Sequence, residues 1–222
     1  MPARSALTPE DFGALYFITG SICARCGGPQ TLDLGQDDIC AVCHGSKTAW
    51  KKVRAALVYD DVSRSPILAL KRAGRRDGLQ LMATWMAVAG ADLLSNADLI
   101  VPIPLHYRRL VSRGYNQAGW LATALARQTG KPVRHGALTR TRSTPSQAGR
   151  SARERFRNVR GAFRVRRSGK QHITGQRILL VDDVFTTGAT ANAAARALLA
   201  ANAAEVSILV LARVAREKDV TI

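Results

Sequence analysis

Two adjacent aspartates, Asp182 and Asp183, close the apolar run Ile178-Leu-Leu-Val181, and the chain continues Val-Phe-Thr-Thr-Gly-Ala-Thr to Thr190. Carboxylates only accept hydrogen bonds, so a pair of them at a strand end suits the neighbouring 2′ and 3′ hydroxyls of a ribose. The following loop offers the opposite chemistry. Thr186, Thr187 and Thr190 carry hydroxyl donors, and Gly188 lets the backbone come close to an anion. A helix opening at Thr187 would aim unpaired N–H groups and its positive dipole end at a phosphate. The bland alternative is a turn that merely caps its helix, with incidental acids. Neither the Gly-x-x-x-x-Gly-Lys of a Walker loop nor the Gly-x-Gly-x-x-Gly of a Rossmann loop is present.

A second chemical cluster lies near the amino terminus. All four cysteines fall in two Cys-x-x-Cys pairs, Cys23/Cys26 and Cys40/Cys43, with thirteen residues between them. Each pair aims two thiolates at one point, and two such knuckles complete a tetrahedral zinc site, while Gly27 and Gly28 supply the backbone freedom a knuckle needs. The alternatives are a pair of disulfides or a redox dithiol. A cytoplasmic setting disfavours the first, and the doubling of the motif disfavours the second. His44 is surplus to a complete site.

The composition narrows the partners. With 222 residues, 46% of them hydrophobic, the chain is long enough for one α/β core plus a small module, and disorder is not the default. A net charge of +17 and a pI near 11.0 attract polyanions, whether nucleic acid, an anionic surface or a phosphorylated substrate. From Arg140 to Lys170 there are eleven basic residues and one acid, Glu154. No apolar run reaches the length of a membrane span, and the start lacks a signal-peptide core, so a cytoplasmic location is expected.

The elements that must position these groups can be read from periodicity. Strands are expected over Ala55–Tyr59, Leu99–Pro104, Arg177–Val181 and Val206–Leu211. Helices are expected from Ser65-Pro66 to Lys71, over Leu79–Leu94, over Asn116–Thr129 (stopped by Gly130) and over Thr187–Leu199. Strands alternating with helices imply an α/β fold with an open, mostly parallel sheet and helices on both faces. The arginine-rich stretch Thr139–Lys170 has no clear period and reads as a long mobile loop. Residues 1–50 are expected to form the zinc-ribbon module, and residues 51–222 the main domain.

The acidic pair and its loop, Asp182 to Thr190 with Ala189 included, resemble the phosphoribosyl diphosphate (PRPP) motif of type I phosphoribosyltransferases. Further stretches are similar to the competence protein F (ComF) family: Leu70-Lys71, Val101-Pro-Ile-Pro-Leu-His-Tyr-Arg-Arg109, Arg113-Gly-Tyr-Asn-Gln117 and Thr144-Pro-Ser-Gln147. So are Arg155, Asn158-Val-Arg-Gly-Ala-Phe163 and Leu211-Ala-Arg213. The resemblance implies a phosphoribosyltransferase fold behind a zinc module and an association with natural transformation and DNA uptake. It assigns Asp182 and Asp183 the catalytic position, with Mg²⁺ accompanying PRPP. Arg108, Arg109 and Arg113 take the pyrophosphate-loop position, and Gln147, Arg155 and Asn158 fall in a flexible loop that closes over the sugar. For each of these arginines a solvated basic turn is the competing reading. Many members of the family carry a further cysteine pair upstream. The twenty-two residues before Cys23 hold none, which reads either as a lost ribbon or as a late start.

Two functions from different classes follow. One is a Mg²⁺-dependent transferase that releases pyrophosphate to an acceptor the sequence does not identify. The other is a non-catalytic factor that senses PRPP or handles single-stranded DNA alongside competence proteins. The charge exceeds what one diphosphate requires, which favours a polyanion partner. Nothing in the sequence fixes an oligomeric state.

Overall fold

The computed structural model of the protein describes residues 9–30, 39–72, 76, 78–142 and 152–215. Two short helices come first, α1 (Pro9–Gly13) and α2 (Ala41–His44), then strand β1 (Val53–Val58) and helices α3 (Asp61–Arg72), α4 (Leu79–Ala89) and α5 (Ala91–Asn96). Strand β2 (Leu99–Pro102) leads to α6 (Tyr107–Arg113) and α7 (Gln117–Thr129). A small section follows: β3 (Leu138–Arg140), α8 (Ala152–Val159), β4 (Phe163–Val165) and α9 (Arg167–Lys170). The chain then runs through β5 (Arg177–Phe185), α10 (Ala189–Leu199) and β6 (Glu205–Arg213).

Four strands form one sheet in the order β1-β6-β5-β2, every pair parallel. The alternation of side chains along β5 builds two cores. Ile178 and Leu180 face α10 and its residues Ala191, Ala194 and Leu198. Leu179 and Val181 face the opposite side, where α3, α4, α5 and α7 supply Ile67, Met86, Leu93 and Leu121. A parallel strand covered on both faces has no polar face to show, which is why Ile178–Val181 reads as an unbroken apolar run.

Three expectations change. The helix expected from Ser65 begins at Asp61, because Asp60 and Ser63 form a reciprocal cap. The Asp60 carboxylate accepts the Ser63 N–H at 2.8 Å, and the Ser63 hydroxyl accepts the Asp60 N–H at 2.9 Å. Pro66 then sits inside the helix and forgoes one backbone bond.

The single helix expected over Leu79–Leu94 is two helices that meet at Gly90. A Cβ there would stand 2.6 Å from a Leu209 methyl of β6, so the absence of a side chain lets the helix junction lie against the sheet.

The loop expected over Thr139–Lys170 contains ordered structure. Arg140 of β3 pairs with Phe163 of β4 in an antiparallel ribbon, and α8 buries Val159. The arginines hide this in the sequence, since the pairing joins short segments far apart along the chain.

Gly90→Ala should destabilise the protein by about 1–3 kcal/mol through overpacking against Leu209. Urea unfolding measures it, and an unchanged midpoint would contradict the packing described.

Candidate functional site

In an open parallel sheet, ligands bind outside the carboxyl ends of strands where successive connections leave to opposite faces. Here that point lies between β2 and β5. The chain after β2 packs α7 into one core, and the chain after β5 packs α10 into the other. The last β2 residue, Pro102, pairs with Val181, so β5 continues past the end of β2 as Asp182–Phe185. The sequence reading placed the acids just after the strand. They lie within it, Asp182 opposite Val210 of β6.

Both carboxylates are held by their own backbone. Asp182 Oδ1 accepts the N–H of Asp183 at 2.9 Å, and Asp183 Oδ1 accepts the N–H of Val184 at 2.7 Å. Asp183 is buried and Asp182 half-buried. Thr186, Thr187 and Gly188 then turn the chain into α10. Gly188 is the N-cap, in the left-handed region at φ 76°, and a Cβ on it would meet the Phe185 ring at 2.8 Å. No side chain caps the helix, so its first N–H groups are available to a ligand. The turn encloses a cradle of about 30 Å³ walled by Asp182, Phe185, Thr187, Gly188 and Thr190. Among the described residues Thr187 Oγ1 is buried without a hydrogen-bond partner; Thr186 is exposed, and Ala189 opens the helix. A buried hydroxyl left unmatched is costly unless a ligand meets it.

Across from this loop, β2 is followed by Ile103-Pro104. Asn116 Nδ2 donates to the Ile103 carbonyl at 3.1 Å, and His106 caps α6 by accepting the Arg108 N–H at 3.3 Å. Helix α6 buries none of its residues. Its arginines differ in use: Arg113 donates to Gln117 at 2.9 Å, and Arg108 and Arg109 are exposed. Arg109 lies within electrostatic reach of Arg140, and Arg140 within reach of Asp182.

Arg140 is the site residue that sequence reading missed. A bridge between His106 and Arg140 brings β3 beside the β2 loop, and the guanidinium lies 5.5 Å from the Phe163 ring centre. Burial, then repulsion from Arg109, pushes its pKa down, while Asp182 pulls it up. Arg109, Arg140 and Asp182 are thus electrostatically linked, an arrangement suited to a diphosphate on a sugar. The only cue in the sequence was a short Leu-Thr-Arg opening the arginine run.

Asn158 lies on α8, half-buried, rather than on a loop. Arg155 belongs to the same helix, but its side chain lies outside the described residues, as does Gln147 altogether. Helix α8 and helix α10 flank a groove of about 530 Å³ with Arg157, Arg160 and Arg196 on its walls and Phe163 at its floor. Ala189 lines both this groove and the cradle, so the two adjoin.

The cysteines form a second site on the α10 side of the sheet. Their four sulfurs lie within 4.8 Å of one another, and those of Cys26 and Cys40 are 3.9 Å apart. Sulfurs around a tetrahedral zinc with bonds of about 2.3 Å would be about 3.8 Å apart, so the set fits that ion. The Cys23 sulfur accepts the backbone N–H groups of Cys26 at 3.4 Å and Cys40 at 3.3 Å. The Cys26 thiol, followed by these amides, draws the Cys23 pKa down to about 4. Cys26 is pushed up, chiefly by donating to Cys23, and burial pushes Cys43 up to about 12. Four thiolates packed this closely need a cation to share their charge. His44 is exposed and outside the cluster. Arg25 ties the two knuckles, donating to the Cys43 and Ser46 carbonyls at 3.0 Å each. Cys23, Cys26, Cys43 and Trp50 are buried in the same cluster as β1, β5 and β6.

Residues 99–221 match the family model described as phosphoribosyl transferase domain. The chain is 37% identical over 116 residues to "Competence protein F" of Haemophilus influenzae, covering 52% of this chain and 50% of that protein. It is 36% identical over 160 residues to "DNA utilization protein YhgH" of Escherichia coli K12, covering 72% of this chain. That match spans 62% of the relative's length, less than two thirds. The protein of the same name in Salmonella typhi is 32% identical over 200 residues, 87% of this chain and 84% of that one. Among the described residues no helix is long and apolar enough to cross a membrane.

Purified under reducing conditions, the protein should carry about one zinc per chain. Cys40→Ser should lower the zinc content and, because the knuckle shares the sheet's core, the thermal midpoint as well. Elemental analysis that finds no zinc in fresh, reduced protein would contradict this assignment.

Proposed function

We propose, from the premise that this chain belongs to the phosphoribosyl transferase family, among competence protein F and its relatives, that it binds phosphoribosyl diphosphate together with Mg²⁺. The observation that carries this reading is the cradle at the end of β5. Two backbone-anchored carboxylates stand beside an uncapped helix N-terminus and a buried, unmatched Thr187 hydroxyl. In this reading Asp182 and Asp183 accept the ribose hydroxyls. Thr186, Thr187, Gly188, Ala189 and Thr190 hold the 5′-phosphate with hydroxyls and backbone N–H groups. Arg109 and Arg140 face the diphosphate, and Arg108 and Arg113 stand with Arg109 on α6. Mg²⁺ would neutralise charge on the diphosphate, and Asp182 and Asp183 are the carboxylates that would attract it.

If the chain turns over its ligand, the reaction is transfer of the 5-phosphoribosyl group to an acceptor: the bond from ribose C1 to pyrophosphate breaks through an oxocarbenium-like state, pyrophosphate leaves with the electron pair, and the acceptor bonds to C1. The acids and arginines would position the sugar and stabilise the departing charge. In this reading residues 1–50 are the metal module and residues 51–222 the ligand-binding domain. Gln147, Arg155 and Asn158 belong to the segment that covers the sugar.

A second reading draws support from the groove between α8 and α10. Its three arginines adjoin the cradle, and the chain as a whole carries +17. That charge suits single-stranded DNA, handled as a PRPP-sensing or DNA-processing factor alongside competence proteins. The names of the relatives, which speak of competence and DNA utilization, agree with it.

Asp182→Asn combined with Asp183→Asn should weaken PRPP binding tenfold or more, since each charge-assisted hydrogen bond contributes roughly 1.5–3 kcal/mol. Thr187→Val should weaken it less, because the backbone donors of the loop remain. Equal affinity of the double variant and the wild type in calorimetry would remove the acidic pair from the site.

For the second reading, fluorescence anisotropy on short single strands should show sequence-independent binding that falls steeply with salt. Changing Arg157, Arg160 and Arg196 to alanine should make the log–log salt slope shallower by about two. Absent binding at low salt, or binding indifferent to salt, rejects it.

A further inference from the structure

Arg213 ends strand β6 and is one of the largest fully buried side chains, 1% exposed. The sequence singles it out within Leu211-Ala-Arg213 without assigning it a task. Its backbone and its side chain reach two different sites. On the backbone side, Arg213 pairs with Phe185, and the next N–H, that of Val214, donates to the Phe185 carbonyl at 2.9 Å. Phe185 is the residue immediately before the threonine loop, and its ring packs over Gly188 in the cradle wall. On the side-chain side, Nη1 donates to the Cys26 carbonyl at 2.7 Å and stands 3.6 Å from the Cys26 sulfur. Gly28 makes room for it, since a Cβ there would sit 2.7 Å from that nitrogen.

A second tie runs parallel to the first. Asn192, near the start of α10, accepts the N–H of Ala49 through Oδ1 at 2.8 Å, binding the helix to the chain that follows Cys43. Trp50, from the same segment, meets the Phe185 ring edge-on at 6.0 Å. The cysteine knuckle therefore backs the loop rather than standing apart from it.

Charge makes the Arg213 contact more than packing. A divalent ion held by four thiolates leaves a net charge of about −2 in a buried place. Burying such a charge is costly unless a cation lies against it, and a guanidinium hydrogen-bonded beside a ligand sulfur provides one.

We propose that Arg213 is a positioning residue that couples the metal knuckle to the ligand loop. With metal in the knuckle, the guanidinium is drawn onto Cys26, the end of β6 is fixed, and Phe185 holds the Thr186–Gly188 turn in its binding shape. Without metal, the turn loosens. The residue acts through Phe185 and need not touch the ligand. Only the identity of the ligand in this proposal rests on the sugar-phosphate reading given above.

The test uses the full, metal-loaded chain and two substitutions, Arg213→Met and Arg213→Lys. Metal release to a chromophoric chelator and amide hydrogen exchange over residues 185–190 are followed on the same samples. Arg213→Met should speed release on the order of 10- to 100-fold, the usual effect of losing a partner of a ligating residue, and should raise exchange in the loop. Arg213→Lys, which keeps the charge but not the fork, should fall between. Unchanged release, or faster release with wild-type loop exchange, overturns the coupling. If Arg213→Met does not fold, the wild type stripped of metal decides. Exchange over 185–190 must rise relative to α7, and an unchanged loop overturns the proposal. A parallel PRPP titration of the wild type keeps the two ideas separate. Failure to bind removes the sugar-phosphate reading and leaves the release and exchange results to judge Arg213.

Discussion

Between Val181 and Val184 the central part of the sheet passes from fully buried aliphatic side chains to carboxylates that take the next backbone N–H. Because β5 has neighbours on both edges up to Val181 and only β6 beyond it, the acids emerge where the sheet has just lost a strand. The local self-bonding holds each carboxylate in a fixed direction. The remaining elements are arranged around this point. Helix α10 turns away at Gly188, the chain leaves β2 after Pro102, and β3 brings Arg140 in from the side.

The balance of charge at the crevice sets what it can hold. Acids alone would suit a cation or a sugar, and arginines alone would suit any anion. The two together, with an uncapped helix end between them, suit a sugar that carries phosphate at both ends. Burial of Arg140 sharpens this, because a guanidinium partly removed from water interacts more strongly with a nearby anion than an exposed one does. Arg108 and Arg113 have weaker claims. The first is not among the charges that act on Arg140, and the second is committed to Gln117.

What could be read from the sequence was local. The Asp182–Thr190 motif, the paired cysteines and the α7 stop at Gly130 are each specified by a few consecutive residues; the cysteines gather and α7 stops as expected, while the acids fall inside β5 and α10 opens at Ala189 rather than Thr187. The parallel sheet followed from alternating patterns in the same way. What escaped depends on partners far along the chain. Gly90 splits a helix because of Leu209, and Arg140 enters the site because β3 pairs with β4 and touches His106. Arg213 and Asn192 look unremarkable as single letters in apolar or alanine-rich runs, yet they reach Cys26 and Ala49. The arginine-rich stretch misled for a related reason. Its short apolar anchors, Leu138, Ala162 and Phe163, are outnumbered by charge and acquire meaning only once they are buried together with the sheet.

The central claim is that the crevice at the end of β5 takes a sugar carrying a 5′-phosphate and a diphosphate. Isothermal titration of the zinc-loaded wild type with PRPP, with and without added Mg²⁺ and without chelator so that the cysteine site stays filled, tests it most directly. The account predicts one site per chain, binding strengthened by Mg²⁺, and weaker binding of ribose 5-phosphate and of pyrophosphate when each is supplied alone. Absence of binding heat over a range of temperatures, or affinity for pyrophosphate equal to that for PRPP, would contradict it.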